Sequence, residues 1–269
     1  RRVRGPRGVR LVATGSYEPE RVLSNGDLEK LVDTSDEWIT SRTGIKERRI
    51  APADMPTSDL AYQAAERALS ESGLAAADID TLIVATVTGD QPFPSTACHV
   101  QAKLGLSRAA AFDVGAACSG FLYGLSVGAG LIGSGLKDHA IVVGVESLSK
   151  IVDYTDRNTC ILFGDAGGAV LLEPSPDESV GIIDHKLYSD GSGGRYLYML
   201  GGGSLNPSTH ETVDKKMHYI YQDGKAVYKV AVIGMADVSE EIMKRNNLTG
   251  KDVDWLVPHQ ANLRIVDAC

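Results

Sequence analysis

Cysteine is scarce, and its spacing excludes two chemistries. The 269 residues hold four, at positions 98, 118, 160 and 269. None forms a C-x-x-C pair, so neither a zinc ribbon nor a dithiol redox motif is expected. A secretory leader pattern and disulfide spacing are both missing, so a reducing cytoplasm is the expected setting. Of the six histidines, those at 99, 139, 185, 210 and 218 show no ligand spacing, and no metal is expected. Basic residues are outnumbered 27 to 35, for a net charge of −8; a chain so charged is not built as a whole to hold nucleic acid. An uninterrupted apolar run is lacking too. Val114 to Leu136 carries no charge and is long enough to span a membrane. Seven glycines break it up, so a buried helix in an α/β core is expected there, and no membrane contact.

What is present is the composition of a globular protein, 43% hydrophobic and 23% charged. Residues 1–7, RRVRGPR, read as a solvated basic leader. Strand and helix then alternate. Residues 8–14 read as a strand, and 57–72 as a helix with Leu60, Ala61, Ala64, Ala65, Ala68 and Leu69 on one face, stopped by Gly73. Strands are expected at 81–88, 109–114 and 139–146, the last two joined by the glycine-rich helix as a βαβ unit.

The chain also repeats itself. LAAADIDTLI at 74–83 and LTGKDVDWLV at 248–257 share Leu, Asp, Asp and Leu in register, and each follows a long amphipathic helix, 57–72 in one case and about 226–246 in the other. Two consecutive halves are expected, 8–177 and 178–269, with the later strands of the second half missing.

Two segments carry chemistry. In DVGAACSGF (113–121), Cys118 follows a strand and a small-residue turn and opens a helix. A helix N-terminus lowers a thiol pKa, and the turn's N–H groups are placed to form part of an oxyanion hole. In VPHQANLRI (257–265), His259 is expected just past a buried strand and before a helix. Taken alone, Cys118 also fits a small buried hydrophobe, and His259 a capping residue.

These two segments, with DTSDEWITSRTGI (33–45), FPSTAC (93–98) and FGDAGGAV (163–170), resemble the β-ketoacyl-acyl-carrier-protein synthase III family of the thiolase superfamily. The resemblance covers nearly the whole chain, in the family's order. It implies a thiolase-like α/β fold, duplicated halves forming a layered αβαβα core, the second half incomplete. It implies an acyltransferase that condenses a short acyl-CoA, with acetyl-CoA the expected primer, with malonyl-acyl-carrier protein, initiating fatty-acid synthesis. Cys118 is then the covalent nucleophile and His259 the donor to the malonyl thioester oxygen. Trp38, Arg42, Arg157 and Asn262 match the family's CoA contacts, Phe93 and Phe163 its acyl pocket, and Arg264 its carrier-protein docking site. Phe93 resembles a residue that reaches across a homodimer interface. Coenzyme A enters as substrate, and no further cofactor is implied. The family's third catalytic group, an asparagine in a Gly-Asn-Thr-Ser segment beyond the histidine, is not among these residues, so the chain is expected to be truncated. Two alternatives stay open: a catalytically deficient scaffold with this fold, and a secondary-metabolite ketosynthase using the same Cys/His pair.

Overall fold

The structure, a computed structural model, describes residues 7–177 and 179–269. In chain order it runs through strands β1 (Val9–Tyr17) and β2 (Val22–Ser24), helices α1 (Asn25–Leu28) and α2 (Asp36–Thr43), strand β3 (Glu47–Arg49), helix α3 (Thr57–Ser72), strand β4 (Thr81–Ala85), helix α4 (Thr96–Leu104), strand β5 (Ala110–Val114), helix α5 (Gly120–Gly133) and strand β6 (Ala140–Ser147). Helix α6 (Arg157–Cys160), strands β7 (Asp165–Pro174) and β8 (Leu197–Met199), helix α7 (His210–Asp214), strand β9 (Ile220–Gln222) and helices α8 (Gly224–Arg245) and α9 (Leu263–Ala268) follow. None of the described helices is long and apolar enough to cross a membrane.

These elements gather into two compact units. The first comprises the chain up to Arg21, Arg49–Ser147 and Asp165–Leu187; the second comprises Val22–Arg48, Leu148–Gly164 and Tyr188–Cys269. The units interleave, so packing divides the chain differently from the consecutive halves 8–177 and 178–269.

The first unit is a five-stranded sheet in the order β1-β7-β6-β4-β5. Strand β4 runs parallel to β5 and β6, and β7 is antiparallel to β6 and β1. The expected crossover from β5 through α5 to β6 is present, with β4 lying between the two strands and pairing with both. Alternate residues separate the two faces. Leu82, Val84, Ile141 and Val143 pack with α3 and α4 in one core, while Ile83, Val142 and Leu172 pack with α5 in the other.

Helix α5 is buried on one side only, which corrects the expectation of a fully buried helix. Its buried positions are Gly120, Gly124, Gly128 and Ile132, four residues apart, whereas Leu122 is 58% exposed. A Cβ at Gly124 would stand 2.8 Å from Val142 Cγ1, and one at Gly128 3.1 Å from Leu172 Cδ1. The glycine row therefore lets the helix axis lie close against the sheet.

The proposed leader falls mostly on residues 1–6, outside the described residues. Arg7 is not a solvated charge. Its guanidinium reaches Asp138 at 2.9 Å and the Ile132 carbonyl at 2.8 Å, tying the chain to the end of α5.

In the second unit, α8 forms where a helix is expected. The strand expected before His259 does not form: residues 253–258 carry no regular structure, and Trp255 is 87% exposed. A strand is stable only when its N–H and C=O groups find neighbours, and among the described residues no ladder reaches this segment. The same holds for residues 181–189; besides the five-stranded sheet, the described residues form the two-stranded pairs β2-β3 and β8-β9. The repeat nevertheless leaves a local trace. Asp78 accepts from the Ala75 N–H at 3.0 Å, and Asp252 accepts from the Thr249 N–H at 2.8 Å. The same device recurs at the same offset just after α3 and α8.

Candidate active site

Cys118 sits where three parallel strands end. Strand β5 stops at Val114, whose carbonyl accepts from the Thr86 N–H just past β4 at 3.2 Å. The chain then turns through a 3-10 turn, Ala117–Ser119, and α5 begins at Gly120. Ala117 adopts φ 45°, a left-handed conformation unusual for a residue with a side chain. Asp113 on β5 accepts from the Thr96 and Ala97 N–H groups, both at 2.7 Å, and so anchors the start of α4 beside the turn. The Ser119 N–H bonds to the Ala116 carbonyl at 3.1 Å and the Gly120 N–H to the Ala117 carbonyl. Both are consumed in the turn, while the Cys118 N–H lies close to its own sulfur.

The Cys118 residue is exposed. Its thiol is nevertheless pushed up from the ordinary value, chiefly because the sulfur is desolvated and further by the Glu146 carboxylate; only its own N–H pulls the other way. This reverses the expected direction. The helix begins two residues beyond the cysteine, and desolvation outweighs its N-terminal field.

The second unit assembles the residues expected to hold CoA. Ser35 caps α2 by accepting from the Trp38 N–H at 3.1 Å. Arg42 lies one turn further along α2 with its Cζ 4.5 Å from the Trp38 ring centroid, and Arg157 Cζ lies 4.9 Å from it. Two guanidiniums thus converge on one half-buried indole, an arrangement suited to a flat aromatic base bearing phosphates.

Buried polar residues hold this trio. The Asn25 amide donates to Asp36 Oδ1 at 2.7 Å and to the Ile45 carbonyl at 2.9 Å, bracketing α2. Its own oxygen accepts from Arg48 Nη1 at 2.5 Å. Arg48, buried on β3, also donates from Nε to the Ile161 carbonyl at 3.0 Å, just after the segment carrying Arg157. Burial lowers the Arg48 pKa. Asn25 and Arg48 escaped the sequence reading because their partners lie outside their own local segments, Ile161 113 residues beyond Arg48.

His259 follows Pro258 in an extended stretch and precedes α9. Desolvation pushes its imidazole down from the ordinary value, so the ring is neutral at pH 7. Asn262 caps α9, its Oδ1 accepting from the Arg264 N–H at 2.9 Å. Arg264 is exposed, with its Cζ 5.8 Å from the Tyr228 ring of α8. Helix α9 meets the end of α2 through Leu263. Gly44 closes α2 at φ 74°, and a Cβ there would stand 2.8 Å from Leu263 Cβ. The helix after His259 is thereby seated on the helix that carries Trp38.

Cys118 and Phe93 belong to the first unit; His259, Phe163 and the Trp38 trio belong to the second. Phe93 is 83% exposed and Phe163 half-buried. Among the described residues, no three His, Cys, Asp or Glu side chains gather to hold a metal ion.

Comparison with known proteins finds relatives along nearly the whole chain. The family model described as 3-oxoacyl-[acyl-carrier-protein (ACP)] synthase III matches residues 112–191, which include Cys118. The chain is 53% identical over 263 residues to the β-ketoacyl-[acyl-carrier-protein] synthase III of Koribacter versatilis, covering 97% of this chain and 79% of that protein. It is 56% identical over 260 residues to the Chlorobium chlorochromatii protein of the same name, covering 96% and 79%. Among solved structures, 3-oxoacyl-[acyl-carrier-protein] synthase III from Aquifex aeolicus is 43% identical and superposes with a TM-score of 0.87 over 97% of this chain and 79% of that one. The priming β-ketosynthase of the R1128 polyketide pathway is 35% identical and gives 0.89 over 100% and 79%. Helices on both faces of a mixed sheet, a cysteine turn at the strand ends, and relatives this similar over this much of their length give one conclusion: the chain belongs to the β-ketoacyl-acyl-carrier-protein synthase III family of thiolase-fold acyltransferases.

Proposed function

We propose that the chain condenses a short acyl group, carried by CoA, with malonyl-acyl-carrier protein, and that Cys118 and His259 divide the work. The observation that carries this reading is the exposed Cys118 residue on a strained turn at the ends of β4, β5 and β6. The Cys118 sulfur attacks the acyl thioester, and CoA departs as the thiol, taking the proton. The acyl-enzyme splits one difficult condensation into two steps. Malonyl-acyl-carrier protein then loses CO2. The enolate oxygen accepts a hydrogen bond from the neutral His259 imidazole through its Nε2 proton. The enolate carbon bonds to the acyl carbonyl, the Cys118 sulfur leaves as the thiolate, and it takes a proton from water. Acetyl-CoA is the expected primer, with no further cofactor, and the setting is cytoplasmic.

Trp38 stacks the adenine, Arg42 and Arg157 take the phosphates and the base's other face, and Asn262 lies on the pantetheine path. Phe93 and Phe163 bound the acyl pocket. Arg264 offers positive charge to an acidic carrier protein, which a chain of net charge −8 requires locally. The active form is a homodimer.

Intact mass after incubation with acetyl-CoA tests the assignment. The parent protein should gain one acetyl group and Cys118→Ser none, because no strong base ionises a hydroxyl there. Acylation of Cys118→Ser would overturn it. His259→Ala should still acylate, while condensation falls about 100- to 1000-fold, the usual cost of one enolate donor.

A further inference from the structure

Glu146, near the end of β6, belongs to none of the segments that carry the family resemblance, yet it is the most engaged carboxylate near Cys118. It lies on the sheet face that carries α5, two residues beyond Gly144, whose Cβ would stand 3.3 Å from Phe121 Cβ. One oxygen accepts from the Val87 N–H at 2.8 Å, and the other accepts from the Thr86 hydroxyl at 3.2 Å and from the Thr88 hydroxyl. The Thr88 hydroxyl accepts from the Ser147 N–H at 2.8 Å. The Thr57 hydroxyl lies 2.5 Å from the Thr88 carbonyl and 2.9 Å from the Ser147 hydroxyl. Thr86 closes the circuit, because its N–H bonds to Val114, the last residue before the cysteine turn.

We propose that Glu146 is a positioning residue of the Cys118 site: it laces the ends of β4 and β6 together and fixes a carboxylate at the strand ends from which the cysteine turn departs. The inference rests on Cys118 being the nucleophile. A half-buried carboxylate with this many donors stays put, and a negative charge beside a thiol opposes its ionisation. The Glu146 carboxyl is itself raised by burial, against the pull of its donors, and its field adds to the desolvation that raises Cys118. Other charged groups on the surrounding elements have their own engagements. Asp113 on β5 holds the start of α4, Asp165 on β7 accepts from the Ala51 N–H, Asp90 accepts from the Ser58 N–H, and Asp59 on α3 pairs with Lys103 on α4. Tyr123 is the ionisable group on α5 nearest the turn in sequence. The consequence is a resting nucleophile held as the thiol. The thiolate forms less often, is more nucleophilic when it does, and leaves the thiol less open to oxidation.

The test is the pH profile of Cys118 alkylation by iodoacetamide, read by intact mass alongside acylation by acetyl-CoA. Glu146→Gln keeps the side chain's length and an acceptor and removes the charge. Its alkylation midpoint should move to lower pH, with the rate at pH 7 rising about threefold to tenfold. Glu146→Asp keeps the charge and should return the midpoint toward that of the parent. Thr86→Val removes one donor, makes the carboxylate easier to protonate, and should move the midpoint the same way by less, which keeps a readout if Glu146→Gln folds poorly. A midpoint that stays in place or rises in both Glu146→Gln and Thr86→Val overturns the proposal. If the parent itself takes no acetyl group on Cys118, the nucleophile assignment fails instead.

Discussion

Ala117, one residue before the proposed nucleophile, holds φ at 45°, where a Cβ crowds the backbone and costs about 1–2 kcal/mol. Ala is the smallest side chain that meets this cost, and a β-branched one meets a larger share of it. Ala117→Val should therefore lower the melting temperature and slow acylation together, and wild-type acylation by that variant would show the conformation to be incidental. The two side chains proposed to be catalytic carry opposite shifts, and the pH dependence follows from their signs. Cys118 is raised, so acylation should climb with pH through and beyond the ordinary thiol range. His259 is lowered, so decarboxylation should hold steady on acidification until pH falls below the ordinary imidazole value. Stopped-flow acylation and CO2 release, measured separately across pH, check the two limbs; an acylation limb that levels off near neutrality contradicts the first. The turn at Cys118 and the helix start after His259 were legible in the sequence because each is set by a short contiguous segment. Asn25, Arg48 and Glu146 were not. Arg48 meets Ile161 across 113 residues and Glu146 meets Thr86 across 60, and no local pattern marks such pairs.

Helix α3 was legible to the residue because local signals bound it, Pro56 before it and Gly73 after it. The strand before His259 was misread for the complementary reason. Its apolar run is real, but a strand is defined by its neighbours, and sequence alone does not supply them. Helix α5 lies between these cases: its existence was legible, while its one-sided burial depends on the sheet beneath it. Gly124→Ala puts a methyl 2.8 Å from Val142 Cγ1 and should cost about 1–3 kcal/mol, seen as a lower urea midpoint with an unchanged slope. An unchanged midpoint would mean that α5 can shift outward freely. Strand β3 makes a different contribution through one side chain. Arg48→Met strips Asn25 Oδ1 and the Ile161 carbonyl of their donor, loosening α2 and the Arg157 segment together. The KM for acetyl-CoA should rise roughly tenfold, on the order of one lost buried hydrogen bond to a charge, with kcat changed less. Equal loss in both would place the effect on folding rather than on the Trp38 trio.

The two units and the 174-residue repeat describe different things. The repeat survives in α3 and α8 and in the Asp78 and Asp252 turns that follow them, while the units record which residues now touch. Assembly adds a third level. The sheet ends at β5, and the last strand of a sheet presents unpaired N–H and C=O groups that another chain can meet. Phe93 stands 83% exposed in the segment leading to α4, and α4 packs on β5. A large exposed aromatic beside a terminal strand suits the proposed homodimer, and a net charge of −8 opposes such contact unless apolar area offsets the repulsion. The expected outcome is a homodimer by light scattering that Phe93→Asp weakens. The introduced carboxylate would have to be buried against a second copy, whereas in the separated chain it stays in water, so the melting temperature extrapolated to low concentration should hardly change. Acylation of Cys118 should persist in Phe93→Asp, since the thiol lies on its own turn, while selectivity among acyl-CoA chain lengths should broaden as one pocket wall is lost. A Phe93→Asp protein that remains dimeric and keeps its chain-length preference would remove Phe93 from both the interface and the pocket.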